Sequence, residues 1–181
     1  MDGELYIILI KLDGKVEFTL WGERQLGDEE IGVDRFALDN AGKLLLHDSF
    51  DRSRLYALEN QLKLKEFDED VDYFKDLDFD KVVAWIRKPN TRIECELFNN
   101  IWNAAGDLAA TLPTGFQKHD NNKRTLRIYD KLFWGLNLPA FTPPGRHYIP
   151  RWNKWEVLLL RTVMRDAVRS FQQAIKDSNI K

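Results

Sequence analysis

Residues 152–175 read WNKWEVLLLRTVMRDAVRSFQQAI. Trp155, Leu159, Val163, Ala167 and Phe171 recur at steps of four, and Leu160, Met164, Val168 and Ile175 form a parallel row. That is the period of one helix face. Pro150 precedes the run, and Asn153 with Glu156 three residues on has the spacing of a capping box. A large buried side chain contributes about 1.5–3 kcal/mol, so this helix is expected to be a core element that other segments cover.

The remaining segments are placed around it. Leu5–Leu12 and Lys15–Trp21 are β-rich runs joined at Asp13-Gly14, a strong hairpin signal. Leu5–Ile10 is apolar nearly throughout and reads as a central strand. In the second run Val16, Phe18 and Leu20 alternate with Lys15, Glu17 and Thr19, which assigns the first set to the core and the second to water. Arg35–Leu38 and Lys43–His47 read as a second hairpin, giving an antiparallel meander of about four strands within residues 1–50.

From Asp51 the period becomes helical. Leu55, Leu58 and Leu62 share a face of a helix expected to start at Asp51 and reach Lys65. Asp78 caps a short helix on Phe79, Val82, Val83 and Ile86, with a strand as the alternative because of the β-branched pair. Thr91 and Glu94 have capping-box spacing ahead of a long helix on Ile93, Leu97, Ile101, Ala105, Leu108 and Leu112, closed by Pro113 and Gly115. Asn121 or Asn122 opens another, carrying Leu126, Tyr129, Leu132, Phe133 and Leu136. Leu138–Pro150 holds four of the six prolines and is expected to be extended. Strands first and helices after is the α+β pattern, and 181 residues suit a single domain, with residues 51–181 as its helical part.

Composition limits the function classes. At 44% hydrophobic and 12% aromatic the chain can fill a core. Cys95 is the only cysteine, which fits a reducing compartment, and the apolar run Leu5–Ile10 is too short to span a membrane. A soluble cytoplasmic chain is the expectation. The net charge of −2 hides a split: residues 1–112 hold 14 Lys and Arg against 24 Asp and Glu, a net −10, and residues 113–181 hold 13 against 5, a net +8. The halves either pair with each other or face charged partners.

Two stretches carry recognition chemistry. Glu66–Asp80 has eight carboxylates among fifteen residues, interleaved with Phe67, Tyr73, Phe74 and Phe79. Asp68, Asp70 and Asp72 have the odd spacing of a calcium loop, but Tyr73 and Phe79 stand where that loop needs Gly and Glu. The segment reads instead as a docking surface for a basic protein, centred on Asp68, Asp70, Asp72, Tyr73, Phe74 and Asp76, with charges steering and aromatics anchoring. Toxin-neutralising immunity proteins and inhibitors of basic enzymes work in this manner. The alternative partner is nucleic acid. Arg146, Tyr148, Arg151 and Trp152 would meet phosphates and bases, continued by the helical row Arg161, Arg165 and Arg169.

Catalytic signals are weak. His47, His119 and His147 form no metal-ligand spacing, and no nucleotide-binding glycine loop or nucleophile elbow occurs, so no metal or cofactor is assigned. Cys95 between Glu94 and Glu96 is a poor thiolate. His119 and His147 read as ordinary surface histidines. One polar row remains: Glu96, Asn99, Asn100, Asn103 and Asp107 lie opposite the apolar face of their helix. If that helix is enclosed, these groups must find partners, and an enzyme with an unrecognised polar site near His119, His147 and this helix face becomes the third reading. The sequence favours a non-enzymatic interaction module, with oligomeric state open.

Overall fold

The computed structural model describes residues 4–24, 33–65, 76–119 and 122–178. It has a sheet at the N-terminus followed by helices, ending in the long C-terminal helix, an α+β fold. Strands β1 (Glu4–Leu12) and β2 (Lys15–Arg24) form the expected hairpin. Its turn residues Asp13 and Gly14 both have positive φ, 54° and 73°, the backbone of the two-residue turn that matches strand twist.

The sheet is mixed and five-stranded rather than a four-strand antiparallel meander. Strand β3 (Val33–Phe36) lies antiparallel to β2. Two short strands beyond residue 50, β4 (Lys63–Leu64) and β5 (Asp76–Asp78), pair with β1 in parallel. Parallel pairing needs a crossover, and helix α1 (Phe50–Glu59) is part of that crossover. The expected second hairpin is reduced to a single bridge, Leu38 to Leu44, and His47 instead bridges to Phe18 of β2.

Both faces of the sheet are covered. Ile8, Ile10, Leu12, Trp21 and Phe36 meet the helical core, while Leu5, Ile7 and Leu20 pack with Ala37, Leu45 and Ala57 on the α1 side. The uninterrupted apolar run of β1 follows from that. It also overturns part of the alternation expected for β2: Leu20 is buried and Phe18 packs on the core as expected, but Glu17 and Thr19 are buried too and Val16 is exposed. Thr19 is satisfied by donating to the Leu45 carbonyl at 2.8 Å, whereas Glu17 keeps a buried Oε1 without a partner.

Helix α1 starts at the cap Ser49, not Asp51, and ends at Glu59 rather than Lys65. Gln61 turns the chain with φ 54°. Its inward residues are Ser53 and Ala57, and the expected core leucines Leu55 and Leu58 are 54% and 64% exposed. Helix α2 (Phe79–Arg87) is a helix, capped by the Asp78 carboxylate at Lys81 N. Helix α3 (Cys95–Thr111) begins four residues after Thr91, with Glu94 at the cap and no side-chain capping bond. A 3-10 turn, Gly115–His119, leads to α4 (Lys123–Gly135), capped by Asn122. Helix α5 (Lys154–Asp177) has the predicted Asn153–Glu156 capping box. Its buried face includes Leu160, Val163, Met164, Ala167, Val168 and Phe171, and Trp155, assigned to that face in the sequence, points outward.

Candidate functional site

Of the acidic docking residues, Asp68, Asp70, Asp72, Tyr73 and Phe74 lie outside the described residues. Asp76 is exposed at the start of β5. The end of the run serves the fold: Leu77 and Phe79 are fully buried, Asp78 caps α2, and Asp80 accepts from Gly14 N at 3.1 Å. Phe79 is therefore a core residue and not a surface anchor. Both flanks are fixed on one strand, Leu64 beside Leu5 and Asp76 beside Leu9. Four residues of strand separate those anchor points, about 13 Å.

The basic residues do not form one tract. Arg146, Tyr148 and Arg151 are exposed on the loop before α5. Asn137 holds that loop, accepting from Tyr148 N at 2.6 Å and donating to Tyr148 O at 3.1 Å. Trp152 is half-buried with Lys131 Nζ 5.4 Å from its ring centroid. Arg161 is engaged in the fold, its Nε donating to Ile86 O at the end of α2 at 2.8 Å. Arg165 is half-buried and Arg169 exposed. Lys154 and Arg169 are fifteen residues apart on α5, about 22 Å, so Arg169 stands far from the loop.

The same loop and the helices flanking it also expose apolar side chains. Trp134, Phe141, Tyr148, Ile149, Trp155 and Leu158 all remain exposed, Ile149 at 80%. Phe133 packs at 5.7 Å against both Trp134 and Phe141. Beside them a cleft of about 410 Å³ is lined by Ile93, Cys95, Gly135, Tyr148, Ile149 and Pro150. Gly135 is required here, since a Cβ would strike Cys95 Sγ at 2.5 Å. Burial pushes the Cys95 thiol up, which leaves it protonated and unreactive.

The polar row of α3 is largely enclosed. Asn99 and Asn100 are buried, Asn103 and Asp107 half-buried, and Glu96 exposed. Tyr129 of α4 donates to Asn103 Oδ1 at 2.9 Å, and the Trp21 indole of β2 donates to Asp107 Oδ2 at 3.0 Å. Burial pushes the Asp107 carboxyl up to about 7; the indole hydrogen bond opposes this and the charge of Asp34 adds to it. Asn99 Oδ1 is buried without a partner. Two members of this row, Asn103 and Asp107, join α3 to α4 and to the sheet. Trp21 and Tyr129 are the partners that sequence spacing missed, because neither is local to α3.

The histidines are dispersed. His47 is buried beside Tyr56, ring centroids 5.3 Å apart. His147 is exposed in the proline-rich loop. His119, expected at the surface, is buried, with Nε2 3.0 Å from Asp166 Oδ2. Asp166 also takes Lys118 Nζ at 2.9 Å. Burial alone would raise the Asp166 carboxyl, but the hydrogen bonds and charges of Lys118 and His119 outweigh it and hold the group below its usual range.

Comparison with protein-family models, curated proteins and solved structures finds no match.

Among the described residues no group of three or more His, Cys, Asp and Glu side chains is placed to hold a metal ion. None of the described helices is long and apolar enough to cross a membrane.

Proposed function

We propose that the chain is a non-enzymatic protein-interaction module of the cytoplasm that docks a basic partner on its acidic segment. The observation that carries this reading is where the ion pairs fall. Lys11–Asp78, Arg52–Asp48, Lys63–Glu4 and Lys65–Glu4 join residues of the acidic half. Lys118–Asp166 and Lys131–Glu156 join residues of the basic half. Among the described residues these pairs fall within one half or the other, which supports a reading in which the net charge of each half faces a partner of opposite sign. The exposed apolar shelf at Trp134, Phe141, Ile149 and Trp155 adds the kind of surface that partners cover.

The test is charge reversal at Asp70, Asp72 and Asp76 to Lys. Circular dichroism should be unchanged, and a basic partner isolated with the wild type should bind at least tenfold more weakly. Retention of that partner at full affinity would remove the acidic docking surface from consideration. The nucleic-acid reading predicts a filter-binding signal that falls steeply with salt, and its absence at low salt would eliminate it.

A further inference from the structure

An open groove of about 960 Å³ lies beside the C-terminal half of α5. Its walls come from three stretches remote in sequence: Gly42–Leu44, Leu112–Lys118 with Pro113 and Gly115 between them, and α5 from Asp166 to Ser178. Leu112 and Pro113 give it accessible apolar lining, and Lys43, Lys118, Arg169 and Lys176 supply cations. Two acids also line it. Asp166 is already matched by Lys118 and His119, and Asp177 accepts from the Gln173 amide at 2.6 Å.

Lys43, Arg169 and Lys176 have no carboxylate within salt-bridge distance among the described residues. Lys176 also complements the C-terminal end of the helix dipole. Lys43 lies in a loop and Arg169 two turns before the helix end, so neither has that role. The neutral polar groups offer less. Ser170 and Ser178 donate to the α5 backbone, so charge is what the groove has free. Four cations against two carboxylates leave the lining net positive, a net positive concavity with low-dielectric walls concentrates anions, and the volume is that of a small-molecule site.

We propose that this groove binds a nucleoside polyphosphate, with Lys43, Arg169 and Lys176 meeting the phosphates and Leu112 and Pro113 receiving the base. Several separated cations suit a ligand with several negative charges better than a single carboxylate, and the adjoining apolar lining suits a flat, weakly polar ring. The inference stands independently of the acidic docking surface.

Isothermal titration of the full chain with ATP, at fixed ionic strength, tests it. One molecule should bind per chain, and tripolyphosphate should bind at least tenfold more weakly. The Lys43→Gln/Arg169→Gln variant should lose at least tenfold in ATP affinity, the Lys43→Arg/Arg169→Lys variant should retain it, and Arg52→Gln, on α1, should change nothing. The proposal is overturned if the double glutamine variant binds ATP like the wild type, or if Arg52→Gln weakens binding equally. Equal binding of tripolyphosphate and ATP overturns the nucleoside assignment. Binding of an oligothymidylate without binding of ATP overturns the small-molecule site in favour of a nucleic-acid surface.

Discussion

Asp107 sits on α3 with its carboxylate against the Trp21 indole, and burial pushes it up to about 7. The unfolded chain releases this proton near the ordinary carboxyl value of 3.8. Between those values the folded state binds the proton and the unfolded state does not. The contribution to stability is therefore fully present below about 3.8 and lost as pH rises through about 7. Glu17, raised by burial despite the charge of Lys15, acts with the same sign. Asp166 acts oppositely, because its carboxyl is held low and its stabilisation is lost as pH falls. Asp107→Asn keeps an acceptor for Trp21 and removes the buried charge. It should be more stable than the wild type by about 1 kcal/mol at pH 8, with a smaller or reversed difference at pH 5, read from urea melts at the two pH values. Nothing near Asp107 in sequence reveals this state. The row Asn99, Asn103, Asp107 is legible as polar, but its environment is set by Trp21, 86 residues away, and a periodicity argument does not reach that far.

Elements with strong local chemistry were legible in the sequence, and those shaped by their neighbours were not. The start of α5 belongs to the first kind. Asn153 Oδ1 accepts from Glu156 N and Glu156 Oε2 accepts from Asn153 N, both at 2.9 Å. Asn153→Ala should cost about 1 kcal/mol and lower the thermal midpoint by about 2–4 °C. Helix α1 belongs to the second kind. Its leucines have helical spacing, yet the helix turns Ser53 and Ala57 to the sheet, where small side chains allow close approach. Leu55→Ser and Leu58→Ser should therefore stay within about 0.5 kcal/mol of the wild type, whereas Ala57→Leu, at a fully buried position, should cost about 1–3 kcal/mol by overpacking. A loss of more than 2 kcal/mol in either serine variant would restore the leucines to the core. The parallel strands were hidden for a simpler reason: β4 and β5 have two and three residues, too few to show a period.

At the scale of the molecule, the α+β order was legible because the change from strand to helix periodicity falls between long segments. What joins the two charge halves was not. The joins described here are mainly apolar. Phe171 of α5 is fully buried, with its ring 4.5 Å from Phe79 of α2 and 5.6 Å from Phe36 of β3. One side chain thus ties the C-terminal helix to an N-terminal helix and to the sheet. Phe171→Ala should cost about 3–5 kcal/mol through lost burial and the cavity left behind. Because the contacts span the halves, the loss should appear as one cooperative transition, with tryptophan fluorescence and far-ultraviolet circular dichroism melting together. Separate transitions, with only the helical signal shifted, would mean that the halves fold independently. Salt distinguishes the same alternatives. A seam held by ion pairs weakens as the Debye length shortens, whereas a seam of edge-on and tilted phenylalanines does not. The midpoint of the wild type should therefore change little between 0.05 and 0.5 M sodium chloride, on the order of a few degrees at most.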